Sequence, residues 1–477
     1  MIRKHLEFSS FIKICSGILI SVLIYYLVFY LPFGDFTVSG KHAFAVFCVA
    51  AFLWITNIFP LAITGIIVLF LLASTSTVEA KEVYSYFGNS AIFFVLGAFI
   101  LASPVMRSGL SKRIAIRIIS KFGKGPKTLS ASIFVLSSIL AFFISEHAVA
   151  AMLLPIVIEI VKAARVSKRS RFAFACYMAM AWGAMIGGTA TLLGGARAPL
   201  ALGILEDTFI NNSPLSPYSH ISFIEWTYWV IPIVIAVLVV ALLFILMIAH
   251  NSRANIELAH KTLRQHKAEI GRISQREILT LFVLLLTILL WIFYGASWGL
   301  DRIALFGVIL VFVLRLSHWR EIEKDVQWGI ILMYGSAIAL SVTLRNTGAA
   351  DQIVDFIMNL GIESPLLILI LLIALACILT ELMSNAAAVA VLLPIGLALA
   401  VKYGIDPRII TLAIATSAGL TFMLPVSTPA MALVINSDYV QTQKALLWGL
   451  CLKFISFSVI IATMIIYWPM IGLKLTV

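Results

Sequence analysis

Two stretches of the chain are near-copies of each other: residues 145–156 read SEHAVAAMLLPI, and residues 384–395 read SNAAAVAVLLPI. Seven of the twelve positions are identical, and the copies begin 239 residues apart. Each copy opens with polar residues inside an otherwise apolar run. Because lipid offers no hydrogen-bond partner, polar residues at membrane depth are tolerated where they line a cavity built by the protein. Paired interruptions of this kind in the two halves of a chain indicate a transporter's binding site.

The composition is that of a membrane protein. Hydrophobic residues fill 62% of the 477 positions, charged residues fill 12%, and the mean hydropathy is +1.07. Soluble domains carry about 25% charged residues, and a spanning helix needs about 20 apolar residues, so we expect an all-α polytopic protein with about eleven transmembrane helices. The net charge of +12 comes largely from basic residues in short loops. That distribution is typical of cytoplasmic loops in a lipid bilayer and argues against a nucleic-acid partner.

The similarity between the two halves extends beyond the opening motif, which predicts two homologous repeats. Residues 97–109 parallel residues 335–348 at nearly the same offset. We therefore divide the chain into an N-terminal helix, a first repeat, a helix with a cytoplasmic linker, a second repeat and a C-terminal helix. In that order, the predicted ranges are 1–39, 40–205, 206–274, 275–440 and 441–477.

Charge predicts that the two repeats are inverted relative to each other. Residues 107–127 carry seven basic side chains and no acid, and residues 161–171 carry five and no acid. The segment between them therefore enters and leaves on the cytoplasmic side, as a re-entrant hairpin over 128–160. Residues 345–365 hold one basic residue against three acids. The matching hairpin, 364–400, is therefore expected to enter from the outside.

The hairpin tips are candidate anion sites. Ser145 and Ser384 stand where each second arm begins, and Asn385 follows in the second tip. A helix N-terminus with unpaired N–H groups attracts an anion. The alternative is that these residues only cap helices, but their repetition beside two broken helices favours the site. Glycine and proline interrupt 187–199 and 417–429, freeing carbonyl groups that can coordinate a cation; a simple kink is the alternative there.

Several of these stretches resemble one known family. Residues 380–385 (TELMSN), 422–429 (FMLPVSTP), 97–102 and 107–115 are similar to motifs of the divalent anion:sodium symporter family, and the resemblance covers about residues 40–473. Members carry dicarboxylates, tricarboxylates or sulfate. The resemblance implies a homodimer in the bacterial inner (plasma) membrane, with a scaffold domain and a transport domain that moves as an elevator. It also implies a Ser-Asn-Thr motif at each tip and two sodium sites.

The resemblance assigns site residues by their position in these motifs. The substrate-binding positions are Ser145, Glu146, His147, Arg197, Ser384, Asn385, Ala386, Thr428 and Pro429. The second sodium site corresponds to Thr380, Ser384, Asn385 and Ser427, and a degenerate first site to Ser145 and Gly194. We therefore expect one bound Na⁺.

The first tip departs from the family pattern. Its Ser-Asn-Thr motif has become Ser145-Glu146-His147, and Arg197 has entered the neighbouring loop. Buried charges are expensive unless they are paired. We hypothesise that Glu146 and Arg197 form an ion pair, with Arg197 replacing the first sodium. The alternative is that Glu146 and His147 satisfy each other. His147 is also a candidate for proton coupling, because an unperturbed imidazole titrates near neutral pH.

The expected function is secondary active transport of a small divalent or trivalent anion, coupled to sodium through the second site. The loss of the first site leaves two alternatives on the same fold, a sodium-independent anion exchanger and a proton-coupled symporter. An enzyme is not expected, since the soluble loops are short and hold no recurring acid, base or metal cluster. A channel is not expected either, because two opposed hairpins form dead ends rather than a continuous pore.

Overall fold

The computed structural model describes residues 2–30, 36–75, 77–209, 215–252 and 254–476, without the side chains of 2–11, 266, 267 and 269. Parts of two predicted segments, 31–35 of the N-terminal helix and 210–214 of the region before the linker, lie outside the described residues. Within the described part the chain is helical, and Ile405 and Thr476 form an isolated antiparallel bridge.

The helices are numbered in chain order. Those of the first half are α1 (Ile2–Tyr30), α2 (Val38–Thr56), α3 (Leu61–Ser74), α4 (Ala80–Ser85), α5 (Ser90–Arg107), α6 (Leu110–Phe122), α7 (Pro126–Ala141), α8 (Glu146–Ala163), α9 (Arg171–Gly187), α10 (Arg197–Phe209), α11 (Phe223–Ile248) and α12 (Ile256–Ile270). Those of the second half are α13 (Gln275–Trp298), α14 (Leu300–Val313), α15 (Trp319–Asp325), α16 (Trp328–Asn346), α17 (Ala349–Met358), α18 (Pro365–Leu382), α19 (Asn385–Tyr403), α20 (Pro407–Gly419), α21 (Pro429–Ile435), α22 (Thr442–Ala462) and α23 (Trp468–Met470). Short 3₁₀ turns occupy Tyr86–Gly88 and Ser216–Tyr218, and a π-helical turn, Thr463–Tyr467, joins α22 to α23.

Helix length and composition confirm an all-α polytopic membrane protein. Within the described ranges, nine helical stretches are long and apolar enough to cross a bilayer. They are Ile12–Tyr30 of α1, then α2, α5, α11, α13, α16, α18 and α19, and Thr442–Met470, which combines α22 and α23. Two further apolar helices, α3 and α7, are shorter, with 14 and 16 residues.

The same order of elements occurs in both halves of the chain. In each half a long helix (α5 or α16) is followed by a short amphipathic helix (α6 or α17), two hairpin arms, and a helix that breaks and resumes (α9–α10 or α20–α21). The amphipathic helices both begin after a glycine with positive φ, Gly109 at 89° and Gly348 at 72°. This is the arrangement expected of a duplicated unit; the assigned repeat boundaries remain predictions.

Both hairpins have short turns that end in a serine cap. The Ser145 hydroxyl accepts the Ala148 N–H at 3.3 Å, and the Ser384 hydroxyl accepts the Ala387 N–H at 3.2 Å. Each cap satisfies an N–H group that the first turn of a helix leaves free. The two second arms, α8 and α19, therefore start at tips that are buried inside the protein.

Close packing between α7 and α9 fixes the first broken helix against the first hairpin. A Cβ added to Gly187 would lie 2.7 Å from the Ser138 Cα, and one added to Gly183 would lie 3.1 Å from the Ser138 Oγ. Since the Ser138 backbone cannot move aside as a flexible side chain could, glycine at 187 permits this approach.

We predict that Gly187→Ala destabilises the protein by about 1–3 kcal/mol through overpacking. The midpoint of thermal unfolding of the detergent-purified protein measures the change. Gly88→Ala is the control, because a Cβ at Gly88 would have no atom of the described residues within 4 Å. An unchanged midpoint for Gly187→Ala would show that the two helices separate at little cost.

Candidate functional site

The two hairpin tips and the two broken helices meet around one cavity of about 460 Å³, the central cavity. Its lining residues come from both halves of the chain. They are Trp54, Asn57, Leu61, Glu146, His147, Ala196, Arg197, Gln327, Ile330, Met383, Ser384, Asn385, Ala386, Pro425, Val426, Ser427, Thr428, Pro429 and Ala432.

A second cavity of about 570 Å³, the vestibule, adjoins the central cavity. His147, Gln327, Pro429 and Ala432 line both. The vestibule reaches Asp325, which accepts hydrogen bonds from the Arg107 Nε and the Ser103 hydroxyl, both at 2.6 Å. Burial alone would raise the pKa of Asp325, but these bonds hold it below its ordinary value. The vestibule thus leads from the central cavity toward Arg107, where the basic segment predicted to be cytoplasmic begins.

At the first tip the structure brings Glu146 and Arg197 together. The Arg197 Nη1 lies 2.9 Å from the Glu146 Oε2, and both side chains are 2% exposed. The Arg197 Nη2 also donates to the Thr189 hydroxyl at 2.7 Å. A buried pair offsets its desolvation only when the remaining donors and acceptors are satisfied, and these contacts supply that condition.

The Arg197 guanidinium also contacts the second half of the chain. A Cβ on Gly419, the last residue of α20, would lie 2.7 Å from the Arg197 Cζ, and one on Gly195 would lie 3.0 Å from it. The guanidinium therefore lies between two glycine backbones, one in each broken helix. A larger residue at either position would displace it.

The oxygens expected to bind the first cation have other partners. The Gly194 carbonyl accepts the Glu146 N–H at 2.8 Å, and the Ser145 hydroxyl caps α8. The Arg197 charge stands beside them. A cation placed here would be repelled by the fixed positive charge of Arg197.

His147 is not the partner of Glu146. Its Nδ1 is 3.8 Å from the Glu146 Oε1, beyond hydrogen-bond distance, and this buried nitrogen has no hydrogen-bond partner among the described residues. The imidazole is 23% exposed and lines both cavities. It is therefore placed to donate to or accept from a group inside the cavity.

The second tip gathers oxygen atoms that suit a hard cation. The Thr380 hydroxyl donates to the Ala418 carbonyl at 2.6 Å and lies 3.0 Å from the Asn385 Oδ1. Hydroxyl, amide and backbone oxygens are the ligand types that such cations take. The Asn385 Nδ2 points to the Glu146 Oε1 at 3.4 Å, so its oxygen faces Thr380. Glu146 thus helps to orient a residue of the second tip.

The remaining predicted residues have distinct positions. Ser384, Ala386, Thr428 and Pro429 line the central cavity, while Ser145 lines the vestibule. The Ser427 hydroxyl donates to the Leu424 carbonyl at 2.7 Å. Sequence reasoning did not identify the Ala418 carbonyl or the lining residues Trp54, Asn57 and Gln327.

Glu381 and Lys453 were not assigned as site residues, yet both are buried beside the second broken helix. The Glu381 carboxylate accepts the N–H groups of Phe422, Met423 and Leu424 at 2.9, 3.1 and 3.2 Å. Lys453 donates to the Leu420 carbonyl at 2.6 Å. The signal for Glu381 was its position next to the tip motif; Lys453 lies in an apolar helix far along the chain, where nothing connected it with the site.

The chain is similar to known transporters along almost its whole length. A family model described as the sodium:sulfate symporter transmembrane region matches residues 13–474. The sodium-dependent dicarboxylate transporter SdcS of Staphylococcus saprophyticus is 28% identical over 492 residues, covering 96% of this chain and 92% of the relative. SdcS of Staphylococcus aureus (strain bovine RF122 / ET3-1) is 28% identical over 495 residues, covering 98% and 92%.

A solved structure shares the fold. The YdaH transporter of Alcanivorax borkumensis matches with a TM-score of 0.54 at 14% identity, over 83% of this chain and 87% of its own. Together with the apolar helices, the family match makes this protein a multi-pass transporter of the plasma membrane rather than an enzyme. The chain belongs to the sodium:sulfate symporter family.

Proposed function

We propose that this protein is a secondary active transporter of a small divalent or trivalent anion, either a di- or tricarboxylate or a sulfate-like oxyanion. The observation that carries the proposal is the central cavity, which is bounded by the N-terminal ends of α8 and α19. The N-terminal end of a helix is the positive end of its dipole, so two such ends beside one volume favour a bound anion.

The charges around the cavity are consistent with an anionic substrate. Glu146 is paired with Arg197, so its negative charge is largely neutralised. Ser384 and Asn385 at the second tip and His147 at the first contribute polar groups, and Thr428 stands on the facing loop. A volume of about 460 Å³ is within the range of small-molecule sites and leaves room for a carboxylic acid of a few carbons.

Sodium is the proposed coupling ion, bound at the second tip. The convergence of Thr380, Asn385 and the Ala418 carbonyl supports this site, and the names of the SdcS relatives describe sodium-dependent transport. We propose that Ser427, on the facing loop, completes the shell. Positive charge at this tip would lower the energy of a dianion in the adjoining cavity.

Arg197 is proposed to take the place of a first sodium. It supplies one permanent positive charge at the first tip, held by Glu146 and Thr189. A guanidinium that is part of the protein needs no ion gradient to occupy this position. The alternative function, a sodium-independent anion exchanger, follows from this observation, and a proton-coupled symporter follows from the unpartnered His147 nitrogen.

An elevator motion is the proposed mechanism. One wall of the central cavity is formed by the two tips and the broken helices, and the other by Trp54, Asn57 and Leu61 at the end of α2 and the start of α3, with Gln327 and Ile330. Moving the first wall past the second would carry a bound anion across the membrane. We propose that the second wall belongs to a scaffold that forms a homodimer.

Uptake into proteoliposomes tests the function. Radiolabelled succinate, malate, citrate, sulfate and phosphate are offered while sodium, proton and counter-substrate gradients are imposed separately. We expect at least one dicarboxylate or sulfate to accumulate under an inward sodium gradient. Accumulation that occurs only when the proteoliposomes are loaded with unlabelled substrate would identify an exchanger. If no anion accumulated under any of the gradients, the proposal would be contradicted.

Thr380→Val tests the second cation site. The substitution keeps the shape of the side chain and removes one oxygen ligand, so the sodium concentration for half-maximal uptake should rise by roughly tenfold or more, in line with the loss of one charge-assisted contact of about 1.5–3 kcal/mol. Thr411→Val is the control, because this buried threonine of α20 donates to the Pro407 carbonyl one turn earlier in its own helix. Equal sodium dependence in both variants would argue against the site.

Arg197→Met tests the first tip. It leaves Glu146 as an unpaired buried charge and should destabilise the protein by about 3–5 kcal/mol, whereas Glu146→Gln combined with Arg197→Met should recover most of that loss. Thermal unfolding of the single and double variants measures the interaction energy between Glu146 and Arg197.

The companion pair Glu146→Asn and Arg197→Pro should make uptake depend more steeply on sodium. Transport by that pair with unaltered cation dependence would refute the replacement of sodium by Arg197.

A further inference from the structure

A second buried basic residue lies beside the second broken helix. Lys453, on α22, has a side chain that is 8% exposed, and its Nζ donates to the Leu420 carbonyl at 2.6 Å. The same nitrogen is 3.5 Å from the Glu381 Oε1. One flank of the pair faces a mostly apolar cavity of about 390 Å³, lined in part by Leu382, Leu450, Phe454 and Phe457.

Glu381 and Lys453 together satisfy the backbone where α20 ends. The Glu381 carboxylate accepts hydrogen bonds from three successive N–H groups, those of residues 422–424. The Lys453 ammonium donates a hydrogen bond to the Leu420 carbonyl. Polar backbone groups freed by a break in a membrane helix must find such partners inside the protein. The pair therefore determines the path of the loop between α20 and α21.

This loop is continuous with the proposed sodium ligands. Leu420 follows two residues after Ala418, whose carbonyl contacts Thr380, and Thr380 directly precedes Glu381. The Lys453 ammonium is thus a fixed positive charge in the neighbourhood of the cation site. In a poorly solvated interior, like charges repel each other far more strongly than in water.

Glu381 offsets only part of that repulsion. Its carboxylate is shared among three N–H groups as well as Lys453, and its contact with the ammonium is the longest of the four. The three N–H dipoles offset part of the Glu381 charge, so a sodium ion at Thr380 and Asn385 would still be repelled by Lys453.

We propose that Lys453 is a positioning residue that holds the second broken helix in place and, through its charge, lowers the sodium affinity of the second tip. The inference rests on the proposed sodium site. Weakened binding lets the ion leave when the site faces a compartment with little sodium, which is the condition for completing a transport cycle.

A purely structural clamp makes a different prediction. If Lys453 only held the loop, removing it would loosen the Thr380 and Ala418 ligands and raise the sodium concentration needed for half-maximal uptake. If its charge weakens sodium binding, removing the charge should lower that concentration. The direction of the change separates the two roles.

The experiment compares Lys453→Gln, Lys453→Met and Lys453→Arg with the unaltered protein in proteoliposomes. Lys453→Gln keeps a donor for the Leu420 carbonyl while removing the charge. We expect Lys453→Gln to lower the sodium concentration for half-maximal uptake by roughly tenfold, because one positive charge near the site in the poorly solvated interior is lost. Lys453→Met should act in the same direction, and Lys453→Arg should leave the value near that of the unaltered protein. Lys444→Met, on an exposed part of the same helix, is the control for substitution in α22.

Sodium-dependent thermal stabilisation of the purified variants provides a readout that does not need uptake. A larger stabilisation by sodium in Lys453→Gln than in the unaltered protein supports the proposal. If sodium does not stabilise the unaltered protein, the proposed coupling of transport to sodium fails. If sodium stabilises Lys453→Gln but not the unaltered protein, the result still supports the proposal that Lys453 lowers the sodium affinity. An unchanged or weaker sodium response in Lys453→Gln and Lys453→Met would overturn it.

Discussion

The buried contact between Glu146 and Arg197 is the interaction on which the site depends. It joins the first hairpin tip to the first broken helix, and its two ends reach the second half of the chain, through Asn385 on one side and Gly419 on the other. With no water in the hydrocarbon region, neither charge can remain without its partner. The pair therefore ties together all four elements that enclose the central cavity.

The two halves solve the same problem with different residues. In each half a helix breaks beside a hairpin tip, and in each a buried glutamate and a buried basic residue stabilise the break. Arg197 comes from the broken helix itself and pairs with a glutamate after its tip, whereas Lys453 comes from α22 and approaches Glu381, which precedes its tip. The two halves share the same order of helices, but the charged residues that stabilise each break are not at equivalent positions in the two repeats.

The sequence was informative where a constraint is local or repeated. Apolar length predicted the membrane helices, and the duplicated tip motif showed where both second hairpin arms begin, after Ser145 and Ser384. The pairing of Glu146 with Arg197 followed from the energy of isolated buried charges. Lys453 was missed because no motif surrounds it. The Ala418 carbonyl was missed because every residue has a backbone carbonyl, so residue type does not show which of them faces the site. Which face of the membrane each hairpin enters from remains a prediction from loop charge.

A tethered cation changes the charge balance of transport. In the proposed elevator motion Arg197 accompanies its partner Glu146 in both directions, so the pair contributes no net charge to the cycle. If one sodium ion accompanies a dianion, one negative charge enters the cell, and an inside-negative potential opposes it by about 2.3 kcal/mol per 100 mV. Exchange of one dianion for another moves no net charge and avoids that opposition. The proposed replacement of a mobile sodium by Arg197 would therefore favour exchange or outward transport energetically, unless protons or further sodium ions bind elsewhere in the cycle.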